Sequence, residues 1–206
     1  MNLHVAHHRR GFSLIEMLVV MVIVGALMTL GLNIFGKSAN SARRTGTDQF
    51  TAAVEQARTA AITRRKPVIL AVAPPITGGP DQITRYGLFE VDSLPEDPGS
   101  IKARQVQRWN LMPDGVHFFG GKIEGLRNLL DEDPSQLSWK NGDSQATVYV
   151  LAFNSRGGLA WPTGSDPVAV KIGTGTIQNG KAIETSEGGH NSLRIGRVVA
   201  RPWRLD

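Results

Sequence analysis

A chain of 206 residues with 41% hydrophobic content has room for one modest globular domain beside a long apolar segment, and not comfortably for two. It contains no Cys, which excludes a disulfide framework, a thiol nucleophile and thiolate metal ligands while leaving the redox compartment open. The net charge of +5 hints at an acidic partner, yet Arg9 and Arg10 belong to a short basic segment ahead of an apolar run, where basic residues favour the cytoplasmic side of a membrane.

The apolar run extends from Phe12 to Phe35, with only Ser13, Glu16, Thr29 and Asn33 clearly polar. As a helix, about 24 residues at about 1.5 Å each reach about 36 Å, enough to cross a bilayer with some tilt. Glu16 sits close to its start, where a carboxylate is costly and usually marks a pairing or functional role. The alternative is a carboxylate near a helix end that snorkels to the headgroups. Gly11 precedes the run, whereas a secretory signal places its small-residue cleavage site after the apolar region.

At these residues, Arg9-Arg10-Gly11-Phe12-Ser13-Leu14-Ile15-Glu16, the chain resembles the type IV prepilin and pseudopilin superfamily. The resemblance implies that residues 1–11 are a leader, cut between Gly11 and Phe12 by a prepilin peptidase and methyltransferase that also N-methylates Phe12. It implies a retained helix that serves as membrane anchor and filament core, with other pilins or pseudopilins as partners. Cleavage would create a positive α-amino group on Phe12 in an apolar environment, where an isolated charge is unfavourable. Glu16 of one subunit would neutralise the amine of the next, which makes it the assembly residue.

Residues 37–66 keep helical character but turn amphipathic: Phe50, Ala53, Val54, Ala57 and Ala61 recur on one face, and Arg43, Arg44, Asp48, Gln49, Glu55 and Arg58 supply the other. The small side chains would let a sheet approach closely. Gly46 weakens this helix by about 1 kcal/mol relative to Ala and marks a candidate bend. Pro67 predicts a helix end near Lys66.

From Pro67 the pattern changes to short strands, expected at Val68–Ala73, Arg85–Val91, Arg104–Trp109, Gly115–Phe119, Ala146–Phe153, Val168–Ile172 and Ser192–Ala200. Turn chemistry marks Pro113-Asp114-Gly115, Asn141-Gly142, Arg156-Gly157-Gly158 and the Gly173 to Gly180 segment, the last read as a hairpin connection. Pro74 to Gln82, Pro95 to Ser100 and Asp131 to Asp143 read as surface loops, and Leu126 to Leu130 as a short helical turn.

Three further stretches, Met112-Pro113-Asp114-Gly115-Val116, Phe153-Asn154-Ser155-Arg156-Gly157 and Leu193-Arg194-Ile195-Gly196-Arg197-Val198, resemble the minor pilins and pseudopilins of the GspH/FimT type. Met112 and the long insertions around it depart from that pattern.

A search for chemistry finds little. His4, His7 and His8 fall in the leader; His117 reads as a strand residue and His190 as loop, neither with a nucleophile or metal-ligand motif. Asp131-Glu132-Asp133 lacks the alternating ligands and fixed glycine of a calcium loop and reads as a solvated acidic turn. The Gly173 to Gly180 segment has neither a P-loop Lys nor the dinucleotide spacing. Trp109, Trp139, Trp161 and Trp203 read as core or sheet-edge residues. Arg194, Arg197, Arg201 and Arg204 form one basic cluster, read either as a solvated terminal strand or as a phosphate-binding surface with salt-sensitive affinity.

The expectation is therefore an α+β fold: a long N-terminal helix, membrane-spanning over residues 12–36 and amphipathic over 37–66, packed on an antiparallel β-rich domain of residues 67–206. The expected role is non-enzymatic, with no cofactor and no metal: a minor pilin-like or pseudopilin subunit of a type II secretion or type IV pilus-like filament. It would sit at the bacterial inner membrane with its N-terminus cytoplasmic and its β domain periplasmic. The alternative is a DNA-binding minor pilin of a competence or DNA-uptake system, using the four C-terminal arginines.

Overall fold

The computed structural model describes residues 14–73, 84–94, 99–123, 125–178, 181–185 and 189–205, without the side chains of 26–38, 141 and 181. The chain divides into two compact units, Met1–Ser38 and Ala39–Asp206. Helix α1, Leu14–Arg64, contributes residues to both. In the first unit it presents large apolar side chains to solvent from Leu14 to Val24.

In the second unit, fourteen strands follow among the described residues: β1 Val68–Ala73, β2 Arg85–Glu90, β3 Ser100–Lys102, β4 Arg104–Gln105, β5 Asn110–Leu111, β6 Val116–Phe119, β7 Arg127–Asn128, β8 Ser135–Trp139, β9 Ser144–Phe153, β10 Leu159–Trp161, β11 Val168–Gln178, β12 Lys181–Glu184, β13 His190–Ile195 and β14 Pro202–Leu205. They form two sheets. The first runs β3-β8-β9-β1-β2-β4, with β10 on β9 and β5 on β2; the second runs β12-β11-β13-β14, with β6 and β7 on β11.

Strand β1, Val-Ile-Leu-Ala-Val-Ala, is buried at every position, as a continuous apolar run requires when both faces of a sheet are covered. Its side chains alternate between two cores. Val68, Leu70 and Val72 face Phe50, Val54, Ala57 and Ala61 of α1 together with Val168, Val170 and Ile172 of the second sheet. Ile69, Ala71 and Ala73 join Phe89, Ile101, Leu137, Trp139, Val148 and Val150 in a core of the first sheet alone. Phe50 is wholly buried and meets Phe118 edge-on at 4.8 Å and Tyr86 at 5.5 Å, each contact contributing about 0.5–1.5 kcal/mol beyond area burial.

The second core exists because the first sheet curls. Strand β9 pairs with β8 through Ser144–Val148 and with β1 through Tyr149–Phe153, so its two halves serve different neighbours. Strands β3 and β4 stand at opposite ends of the strand order and are joined by one residue, Ala103. The chain itself closes the curl at that seam.

The expected fold class is corrected in three respects. Among the described residues no helix is long and apolar enough to cross a membrane. A long helix packed on a β domain is also not what the structure shows: the packing on strands is made by the segment around Phe50–Ala61, where small residues permit close approach. Finally, the β part is two curled sheets and is not wholly antiparallel, since β3–β8 and β7–β11 pair in parallel.

Local expectations are also revised. The Asp131–Asp143 loop contains β8, whose Ser135, Leu137 and Trp139 alternate inward. The Gly173–Gly180 connection is largely strand, since β11 continues to Gln178 and pairs with β12. Arg104–Trp109 is only two residues of strand, and Ser192–Ala200 ends at Ile195 before β14 begins. Leu129–Asp131 is a short 3-10 turn, capped by Asn128. Gly46 is a packing position: a Cβ there would lie 3.0 Å from Val116 Cγ1 and 3.1 Å from Met112 Cε. The segments Pro74–Gln82 and Pro95–Pro98 lie outside the described residues.

Candidate processing motif and C-terminal arginine groove

Gly11 and Phe12, the expected cleavage and methylation residues, lie outside the described residues. Glu16 is described: it occupies the first turn of α1, is exposed, and its side chain has no hydrogen bond or ion pair to another described residue. A carboxylate in a first turn complements the unsatisfied N–H groups and positive end of the helix dipole. Around it Leu14, Ile15 and Met17 to Val24 expose between 44% and 84% of their surface. An apolar helical surface of that extent, bearing one carboxylate, is an association surface rather than a solvated one.

The C-terminal arginines do not act as one cluster. Arg204 on β14 donates to Asp48 Oδ1 at 3.0 Å, which ties the last strand to α1. Arg194 on β13, Arg197 and Arg201 line a groove of about 430 Å³ with Val198, Val199 and Trp203. Arg197 is fixed there: Nε donates to the Asp166 carbonyl at 2.5 Å and Nη1 to the Pro162 carbonyl. Burial, reinforced by the Arg127 charge, lowers its pKa. Arg194 and Arg201 are exposed, as are Val198 at 87% and Trp203 at 61%. Trp203 therefore belongs to the groove and not to the core, and its place beside the arginines was missed in the sequence; its register opposite Arg194 comes from the β13–β14 pairing.

The other candidates have structural partners. His117 is buried, and its Nδ1 lies 2.7 Å from Thr84 Oγ1. His190 opens β13 instead of lying in a loop, and its Nδ1 is 2.7 Å from Glu184 Oε1, whose other oxygen accepts from Lys171 Nζ at 3.1 Å. In the acidic turn, Asp131 accepts the Gly121 N–H at 2.8 Å and Glu132 pairs with Arg127. Among the described residues no group of three or more His, Asp or Glu is placed to hold a metal ion. Trp109 and Trp139 pack at 5.3 and 5.6 Å from Phe89 in the second core, and the Arg85 guanidinium lies 5.1 Å from the Trp109 ring.

One charged cluster was missed altogether. Glu90 is only 6% exposed, yet accepts hydrogen bonds from Arg64 Nη1 at 3.0 Å and Arg104 Nη2 at 2.9 Å, with Lys66 Nζ at 3.5 Å. Burial pushes its carboxyl up, but these cations outweigh that and hold its pKa below the ordinary range. The only local signal was an acidic residue in an otherwise apolar strand, Gly-Leu-Phe-Glu-Val.

Residues 6–32 match the family model described as the prokaryotic N-terminal methylation motif. Comparison with curated proteins gave no match, and comparison with solved structures gave none. At its N-terminus, the chain thus carries the processing motif of a type IV pilin-like protein, of the kind that is membrane-anchored or part of an extracellular filament.

Proposed function

We propose that the chain is a minor pilin-like or pseudopilin subunit, close to the GspH/FimT type, of a type II secretion or type IV pilus-like filament. It acts without catalysing a reaction. A prepilin peptidase at the inner membrane cuts between Gly11 and Phe12 and methylates Phe12, and the N-terminal helix then joins those of other pilins or pseudopilins. The β unit is extracytoplasmic and selects partners. The observation that carries this reading is Glu16 in the first turn of an exposed apolar helix, inside the matched motif. The Phe12 amine of one subunit and Glu16 of the next would neutralise each other, since either charge alone is costly in an apolar stack.

The experiment is mass spectrometry of the assembled protein in its native host, with cross-linking of Glu16→Gln to partner pilins. Methylated Phe12 at the terminus is expected, as is normal leader removal in Glu16→Gln with loss of cross-links. An intact Met1 in assembled protein would overturn the processing, and normal cross-linking of the variant would overturn the charge pairing.

A DNA-binding minor pilin is the second reading, supported by Arg194 and Arg201 beside Trp203 in one groove. Cations for phosphates and an aromatic face for bases are the ingredients of single-strand binding. Binding that weakens steeply with salt and is lost in Arg194→Gln with Arg201→Gln would support it; salt-independent or absent binding would overturn it.

A further inference from the structure

The seam of the first sheet forms a cleft of about 960 Å³. On one side are Lys102 of β3, Trp139 at the end of β8, and Lys140 just beyond; on the other are Glu90 of β2 and Arg104 of β4, with Lys66 and Asp92 at the rim. The geometry follows from topology. Lys102 stands opposite Ser138 in the parallel β3–β8 pair, which places Lys102 and Lys140 at the same end of neighbouring strands. Arg104 stands opposite Glu90 in the β2–β4 pair. Because Ala103 alone separates β3 from β4, the two basic edges must converge.

The charges do not cancel. Among the described residues, four cations and two carboxylates line the cleft. Both carboxylates are already satisfied: Glu90 by Arg64, Arg104 and Lys66, and Asp92 by Lys66 at 2.9 Å. Lys102 and Lys140 are exposed and form no ion pair with another described residue. The remaining field is positive, inside a concave site with the low-dielectric wall of the second core behind it, and such clefts focus attraction on anions. Two flexible ammonium groups with three donors each, beside a planar guanidinium, suit a compact tetrahedral anion of more than one charge.

We propose that this cleft binds a phosphate-type polyanion: a phosphate or diphosphate group, either free or presented on a lipid headgroup. Lys102 and Lys140 contact it, Arg104 is shared between it and Glu90, and Asp92 competes with it for Lys66. The site is independent of the arginine groove and of the filament reading.

The test uses the full chain, in neutral detergent for calorimetry and with the detergent removed below its critical micelle concentration for the vesicle arm. Inorganic pyrophosphate is titrated by isothermal calorimetry, and co-sedimentation is measured with phosphatidylcholine vesicles containing or lacking phosphatidic acid. Saturable binding is expected in at least one arm: pyrophosphate alone assigns a free anion, and phosphatidic acid vesicles alone assign a headgroup. Lys102→Gln with Lys140→Gln should weaken it about tenfold or more, each lost charge contact being worth a factor of a few. Both side chains are exposed, so the variant should keep its circular dichroism spectrum. Asp92→Asn, at a position 95% exposed, should strengthen binding by releasing Lys66. No saturable binding in either arm, binding unchanged by the double substitution, or weaker binding in Asp92→Asn would each overturn the proposal.

Discussion

Lys102 and Arg104 are separated by one residue, yet they lie on strands at opposite ends of one sheet. Such a placement requires the sheet to curl until its edges meet, and the right-handed twist of strands supplies the tendency. The interior it encloses is apolar, from Ile69 and Ala71 to Leu137 and Val148. Its closing end is charged because Glu90 sits at the seam with three cations around it.

Glu90→Gln should destabilise the β unit at neutral pH. Its carboxylate is buried, but Arg64 and Arg104 are 42% and 73% exposed, so the loss should be about 1–3 kcal/mol, below that of a fully buried pair. The folded pKa of Glu90 is depressed, so its stabilisation is present above the unfolded carboxyl pKa and disappears as pH falls through the folded one. Urea unfolding of both proteins should therefore differ at pH 7 and converge in acid. A constant difference across that range would contradict the assigned role.

His117 should make stability fall as pH drops below neutral. Burial lowers its folded pKa, so the unfolded chain takes up a proton near pH 6.5 that the folded chain refuses. The contribution is complete above the unfolded pKa and declines as pH falls from there toward the folded one. His117→Gln, which retains a polar partner for Thr84, should flatten that part of the profile of urea midpoints. An equally steep profile in the variant would assign the slope to other groups.

Gly175→Ala should cost about 1–3 kcal/mol, the usual range for forcing volume into a packed site. A Cβ there would overlap the Ile183 carbonyl oxygen and lie 2.8 Å from Phe119 Cζ, and the backbone atom cannot turn aside as a side-chain tip could. Gly196→Ala is the control, because nothing lies within 4 Å of the added carbon; it should stay within about 0.5 kcal/mol. Equal unfolding midpoints for the two variants would remove the close β11–β12 approach as the reason for glycine.

Much of the strand pattern was legible because it is local. Val68–Ala73 is a continuous apolar run and is a strand over those same residues. Gly115 and Gly157 adopt positive φ in the turns read from their sequence, where a side chain would be strained. In the Phe153–Gly157 stretch, the Gly157 N–H donates to the Asn154 carbonyl at 2.9 Å, and the turn lies against Ile62. Strand β8 was not legible, since Ser135, Gln136 and Ser138 give it a polar composition and its burial comes from β9 and β3. Sequence periodicity reports how a segment meets its environment, and cannot report a partner about 35 residues away.

The sequence by itself determined the N-terminal motif, which lies within residues 6–32 that the family model matches. Such a motif is read along one continuous stretch and needs no fold to be recognised. It also determined that a strand-rich unit follows, through the change from helical to alternating periodicity after Pro67. Only the tertiary structure decided that the arginines divide, with Arg204 held by Asp48 and Arg194 and Arg201 left beside Trp203. It also decided that Lys66, Lys102, Arg104 and Lys140 surround one cleft. The reason is long-range pairing: sheet order and curl depend on contacts between distant segments, whose combined free energy no single stretch of chain encodes.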